Sequence, residues 1–316
     1  MSSLSTPVPK APSRTRTFLS RAVRSWQLYV LLIPALTWLI TFAYYPMYGL
    51  IIAFKDFRIR AGIVASPWAN PVFKYFEQFF STSIAVNAIT NTVLLSLYQL
   101  LFSFWVPIVF ALMLNQIRHS RMKKIVQTIS YAPYFLSNVV LVSIIYVLFS
   151  ANGVVNNIIV DLGSEVKLFT SQAQYFRPMY IGSTVYQTMG FSAIIYIAAL
   201  TGISPEYYEA AMIDGASKLK RIWYIDIPLI MPTVILMLVL SIGNIMTLGY
   251  EKAFLMQSPA NTTVSEIIST YVYKVGLQTA QYSFATAVGL FNSVVNFIIL
   301  FLANMLSKKF ADISIF

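Results

Sequence analysis

The chain of 316 residues contains no cysteine and one histidine. Disulfides, thiolate metal sites and cysteine nucleophiles are therefore excluded. His119 stands in the basic run Arg118-His119-Ser120-Arg121-Met122-Lys123-Lys124, where a solvated side chain is the ordinary case, so neither a catalytic residue nor a metal site is assigned. Charge is scarce: 10% of residues, against roughly 25% in a soluble domain. With 58% hydrophobic residues and a mean hydropathy of +0.69, the expected solvent is a bilayer. The net charge of +11 then belongs to cytoplasmic loops rather than to a nucleic-acid surface. No G-x-x-x-x-G-K-[ST] phosphate loop occurs, so this chain has no means of its own to bind and split ATP.

Six apolar runs are long enough to cross a bilayer, which needs about 20 helical residues. They lie at about 27–54, 86–115, 125–149, 179–201, 228–250 and 283–306. Prolines 34, 46, 107 and 133 and glycines 243 and 249 fall within them and predict kinks rather than breaks. No Asp, Glu, Lys, Arg or His lies inside any run. A membrane-embedded enzyme thus lacks a catalytic constellation, and a proton-coupled carrier lacks a titrating group. A carrier coupled to sodium through carbonyls stays open, so an ion-coupled secondary carrier is the alternative to a passage driven from outside.

Residues 1–25 are polar, with Pro7, Pro9 and Pro12, and read as a disordered basic cytoplasmic tail. The run after them is too long for a signal-peptide core and reads as a retained first span. With that tail inside, the cytoplasmic segments carry Lys10, Arg14, Arg16, Arg21 and Arg24, then Arg118, Arg121, Lys123 and Lys124, then Lys218, Lys220 and Arg221, and last Lys308 and Lys309. The opposite segments carry Lys55, Arg58, Arg60, Lys74, Lys167, Arg177, Lys252 and Lys274. That excess places both termini in the cytoplasm. The outer loops predict short helices around 73–80, 154–162 and 264–275.

One charged stretch interrupts the apolar pattern at 202–228. Ser204 suits an N-cap, Pro205 the first helical position, and Glu206 and Glu209 the positive end of the dipole. A helix over 205–213 follows, ended near Gly215. It is either a passive interfacial helix or a docking handle, and anionic lipid does not favour Glu206, Glu209 and Asp214. Glu209-Ala210-Ala211, then Gly215 after three intervening residues, and Ile225-x-Ile227-Pro228 after nine more closely resemble the E-A-A-x3-G-x9-I-x-L-P signature of the membrane subunits of binding-protein-dependent ABC importers, with Ile227 for the usual Leu. Residues 45–57 and 281–287 are similar to the maltose-permease-related carbohydrate class, and within it to the branch handling oligosaccharides and polysaccharide fragments.

The resemblance implies an all-α membrane protein, the type I ABC importer permease fold over residues 26–316, with six transmembrane helices and a cytoplasmic coupling helix. The coupling residues would be Glu206, Glu209, Ala210, Ala211, Asp214, Gly215, Ile225 and Pro228. The implied partners are a second, different six-span permease, two ABC ATPases holding ATP and Mg, and an extracytoplasmic solute-binding protein. The chain itself would bind no cofactor and no nucleic acid. It would sit among the lipids of the bacterial inner membrane and pass a carbohydrate, with an acidic alginate- or pectin-derived fragment among the candidates. A sugar needs hydroxyl partners at depth. Asn244, Thr247 and Glu251 fall at i, i+3 and i+7, and Tyr180, Thr184 and Gln187 at i, i+4 and i+7, each set on one face if helical. Asn138, Asn292 and Asn296 are further amides. For any single one, packing between helices competes with sugar contact. The basic first outer loop suits an acidic sugar or, better, a binding protein.

Overall fold

The computed structural model describes residues 25–117 and 119–311. The expected tail, residues 1–25, lies almost wholly outside the described residues. The chain divides into two units, Met1–Ile51 and Ile52–Phe316. In the first unit the described residues are helical from α1 (Trp26–Leu39) through a π turn at Ile40–Tyr44.

In the second unit the long elements are α2 (Ser83–Ser103), α3 (Trp105–Asn115), α4 (Ser120–Tyr131), α5 (Asn138–Phe149), α6 (Ala173–Thr201), α7 (Pro205–Ile213), α8 (Ile227–Gly243), α9 (Tyr250–Leu255), α10 (Ile268–Tyr273) and α11 (Tyr282–Ala311). Among the described residues, six helical stretches are long and apolar enough to cross a membrane: Trp26–Phe54, Ser83–Asn115, Asn138–Asp161, Ala173–Thr201, Lys218–Gly243 and Tyr282–Lys309.

Two of the expected spans are corrected. The run at 125–149 is not one helix. Pro133 cannot donate to the helix ladder, and the chain passes through a 3-10 turn, Ala132–Phe135, into an extended Leu136 before Ser137 caps α5 by accepting from the Val140 amide. Residues 120–131 therefore form a separate helix, and the third crossing starts at Asn138. The run at 228–250 is displaced. Its helix enters from Lys218 through a π turn at Ile222–Asp226, which takes up Pro228, and ends at Gly243. The outer-loop helices appear at Lys74–Phe80 and Val154–Asp161, while 264–275 is split by an extended Glu266-Ile267.

Helix α6 is the axis of the second unit. At 1.5 Å per residue its 29 residues reach about 44 Å. Its N-terminal half contributes Phe176, Tyr180 and Ile181 to a core with Leu95, Val142, Leu248 and Ala253. Its C-terminal half contributes Ala193, Tyr196 and Leu200 to a second core with Phe104, Ile108, Ala111, Ile230 and Val234. Small residues mark the closest crossings, as expected where lipid offers no hydrophobic drive between helices. A Cβ at Gly190 would lie 2.0 Å from the Ser130 carbonyl oxygen, so α6 crosses α4 backbone to backbone there. A third core joins Phe79, Ala85 and Ala88 to Met246, Ile268, Phe284 and Val288.

Candidate functional site

The charged loop folds as a helix between two stops. Ser204 takes the extended N-cap conformation, although its side chain makes no capping bond, and Pro205 occupies the first turn. At the other end Gly215 adopts φ +71°. The Ala216 amide donates to the Ala211 carbonyl at 2.8 Å and the Gly215 amide to the Met212 carbonyl at 3.1 Å. This double bond pattern closes the last turn and depends on a residue that tolerates left-handed φ. Glu206, Glu209, Ala210, Asp214 and Gly215 are exposed, Ala211 and Ile225 half-buried, and Pro228 exposed. Apolar side chains stand out beside them, with Ile213 87% and Tyr224 79% exposed.

The opposite side of α7 is tied to the bundle. Tyr208 donates its hydroxyl to Asp226 Oδ1 at 2.5 Å, and Gln116, just past α3, donates its amide to Asp226 Oδ2 at 3.2 Å. Asp226 has no exposed surface. Burial, and after it the bond to Asp226, hold the Tyr208 phenol well above the ordinary tyrosine range, so Tyr208 remains a donor. Asp226 was not among the residues expected from the sequence. Its signal was a lone carboxylate between Ile225 and Ile227 at the mouth of an apolar run.

A cavity of about 900 Å³ opens between α2, α3, α6, α8 and the residues after α8, near the upper end of the ~300–1,000 Å³ usual for small-molecule clefts. Its polar wall includes Ser96, Gln99, Thr184, Thr188, Asn244 and Thr247. Aromatic faces come from Phe104, Tyr196, and a stacked pair, Tyr134 and Phe191, with ring centres 3.9 Å apart. Hydroxyls, amides and flat apolar faces together are the chemistry a sugar needs.

Of the expected path residues, Thr184, Asn244 and Thr247 line this cavity. The proposed face of Asn244, Thr247 and Glu251 is not helical, because α8 ends at Gly243 and α9 begins at Tyr250. Glu251 instead accepts from the Asn138 amide at 2.6 Å. Gln187 donates to the Leu136 carbonyl and Tyr180 is buried. Asn292 and Asn296 serve the break after α8: Asn296 donates to the Gly243 carbonyl at 2.6 Å and accepts from the Met246 amide at 3.1 Å, while Asn292 donates to the Met246 carbonyl at 3.2 Å. Ser96, Gln99, Thr188, Tyr134 and Phe191 were missed, since only the tertiary fold selects them from many similar residues. In the first outer loop Lys55 donates to the Ile63 and Val64 carbonyls and Lys74 pairs with Asp56, which commits two of its four cations internally.

A family model described as the binding-protein-dependent transport system inner membrane component matches residues 107–312. Protein LplB of Bacillus subtilis is 41% identical over 92% of this chain and 91% of its own length. The polygalacturonan/rhamnogalacturonan transport system permease YteP of the same organism is 38% identical over 96% and 94%. A chain from the crystal structure of a bacterial ABC transporter importing the acidic polysaccharide alginate is 38% identical, with a TM-score of 0.86 over 93% of this chain and 99% of its own. The chain shares that chain's fold, the type I importer permease fold. It belongs to the family of binding-protein-dependent transport system inner membrane components.

Proposed function

We propose that this chain is one membrane subunit of an ATP-driven importer that takes an acidic oligosaccharide from an external binding protein into the cytoplasm by alternating access. Helix α7 carries the assignment. It presents exposed Glu206 and Glu209 outward and is fixed inward through Tyr208 to a carboxyl shared with the end of α3. A push on such a helix reaches two spans at once, which suits docking onto an ATPase. Two ABC ATPases that hold ATP and Mg, and a second, different permease chain, complete the assembly, with both termini of this chain in the cytoplasm. The acidic cargo is supported by two relatives at 38% identity, one named for polygalacturonan/rhamnogalacturonan and one for alginate. The cavity wall of hydroxyls, amides and aromatic faces supports a sugar.

The test is uptake by the reconstituted importer in proteoliposomes with ATP on the ATPase side. Glu209→Lys should abolish ATP-coupled uptake while the chain still inserts. Normal uptake in that variant, or uptake by this chain alone on an ion gradient, refutes the proposal.

A further inference from the structure

Among the described residues Lys252 is the lysine that touches the cavity wall, and it is held in an unusual way. It follows the break after α8, lies on the short helix α9, and is 6% exposed. Its ammonium donates to Thr184 Oγ1 at 2.8 Å and sits 5.2 Å from the centre of the Tyr180 ring. No carboxylate meets it: among the described residues the ion pairs are Lys74 with Asp56 and Lys274 with Glu266. Its neighbour Glu251 is engaged by Asn138 instead. A buried ammonium with only a hydroxyl and a ring face for company carries a desolvation cost that those contacts offset in part. A buried ammonium kept without a paired carboxylate is costly to hold for packing alone.

Its place relative to the cavity supplies the function. Thr184, which accepts from Lys252, lines the cavity, and so do Thr247 and Leu248 on the stretch leading into α9. The ammonium is therefore one side chain behind the wall. Thr184 at present donates its proton to the Tyr180 carbonyl. An anion against this wall can draw that proton by rotation of the hydroxyl, or draw the flexible lysine stem toward itself. Two turns toward the N-terminus of α6 from Thr184, Arg177 is likewise without a carboxylate. It donates to Asn91 Oδ1 at 3.0 Å, and its Nε is buried without a partner. Arg177 on α6 and Lys252 against it are thus two basic side chains without a carboxylate partner along the face that leads to Thr184.

We propose that Lys252, presented through Thr184, is the countercharge for a uronate carboxylate of the sugar in the cavity, and so selects acidic over neutral saccharide inside the membrane. This rests on the acidic-oligosaccharide importer proposed above. It differs from a general basic funnel in naming one ammonium at one wall position.

The chain's lack of cysteine makes the test direct. Lys252→Cys is made in the complete importer, with its partner permease, ATPases and binding protein. Uptake of galacturonate and mannuronate trisaccharides is measured before and after treatment with aminoethyl methanethiosulfonate, which restores an ammonium at about lysine length, or with the uncharged propyl reagent. Uronate uptake at limiting substrate should fall at least tenfold in the variant. It should return with the amino reagent and not with the propyl reagent, and wild type should respond to neither. Lys252→Arg should stay within about threefold of wild type. Unchanged uptake in the cysteine variant, equal rescue by both reagents, or failure of cysteine and arginine variants alike to assemble overturns the proposal and makes Lys252 a packing residue. If the wild-type importer carries neutral trisaccharides but no uronate, the acidic cargo itself is wrong, an outcome separate from all of these.

Discussion

Replacing Asp226 by alanine should loosen α7 without unfolding the bundle. The fully buried carboxyl accepts from Tyr208 at 2.5 Å and from Gln116 at 3.2 Å. Removing it strands two half-buried donors. A stranded buried donor costs about 1–3 kcal/mol, and the longer bond to Gln116 belongs at the low end, so the local loss is about 2–4 kcal/mol. At tenfold per 1.4 kcal/mol that is roughly a 30- to 700-fold shift toward detachment of α7. Amide hydrogen exchange across Pro205–Ile213 in the assembled importer reads this directly, since local opening sets protection where contacts are few. Exchange there should speed up at least tenfold, with α2 and α6 unaffected, and ATP-coupled uptake should fall in parallel. Tyr208→Phe keeps the Gln116 bond and should show a smaller effect. Unaltered exchange over α7 in a folded Asp226→Ala variant would refute the clamp.

Other predictions concern the break after α8, the crossing of α6, and pH. Asn296→Ala removes the partners of the Gly243 carbonyl and the Met246 amide; at about 1–3 kcal/mol each, it should lower thermal stability in detergent well beyond Ser293→Ala on the same helix. Gly190→Ala drives a Cβ into the Ser130 carbonyl and should cost about 1–3 kcal/mol or more by overpacking, read as reduced thermal stability, whereas Gly182→Ala, with open space around it, should not. Tyr208 has a raised folded-state value, from burial first and Asp226 second. Its stabilisation is therefore complete below the unfolded value and is lost as pH rises through the folded one. Protection of α7, corrected for intrinsic exchange, should stay flat up to about pH 10 and decline above it, and Tyr208→Phe should abolish that decline.

Helix α7 was legible because its signals are local. A proline at the first turn, carboxylates near the N-terminus and a glycine after the last turn act over one or two turns of chain, and they fix α7 at the residues expected. The count of crossings was legible for the same reason, since an apolar run needs no partner to be recognised. What stayed hidden depended on distant residues. Pro133 could have kinked a continuous helix; whether it breaks one depends on how Ser137 and Leu136 are received, and Leu136 is bound by Gln187 from α6. Asn244 and Thr247 were picked for a helical spacing that does not exist, yet both reach the cavity because the chain turns there. Lys252 looked like a loop cation because nothing in its neighbouring residues signals the turn of chain that brings it to Thr184 on α6.

That early end connects the fold to transport. Continued as a helix, residues 244–249 would satisfy their own backbone groups and present only side chains. Ended at Gly243, the segment needs external partners for its backbone, a need that is strict at membrane depth. Asn292 and Asn296 on α11 supply them, and Ser269 adds a bond to the Leu248 carbonyl at 2.8 Å. Two amides that looked equally suited to sugar are thus engaged in holding the backbone open. In return the irregular stretch turns Asn244 and Thr247 into the cavity and delivers Lys252 behind Thr184. If the opening exists for that purpose, Asn296→Asp should separate structure from function. Where it is ionised, the carboxylate still accepts from the Met246 amide but cannot donate to the Gly243 carbonyl, so at pH well above the carboxyl's own value the chain should assemble while its cavity wall shifts. Uronate uptake should then fall further than thermal stability does, and a proportionate loss of both would show that the break serves packing alone.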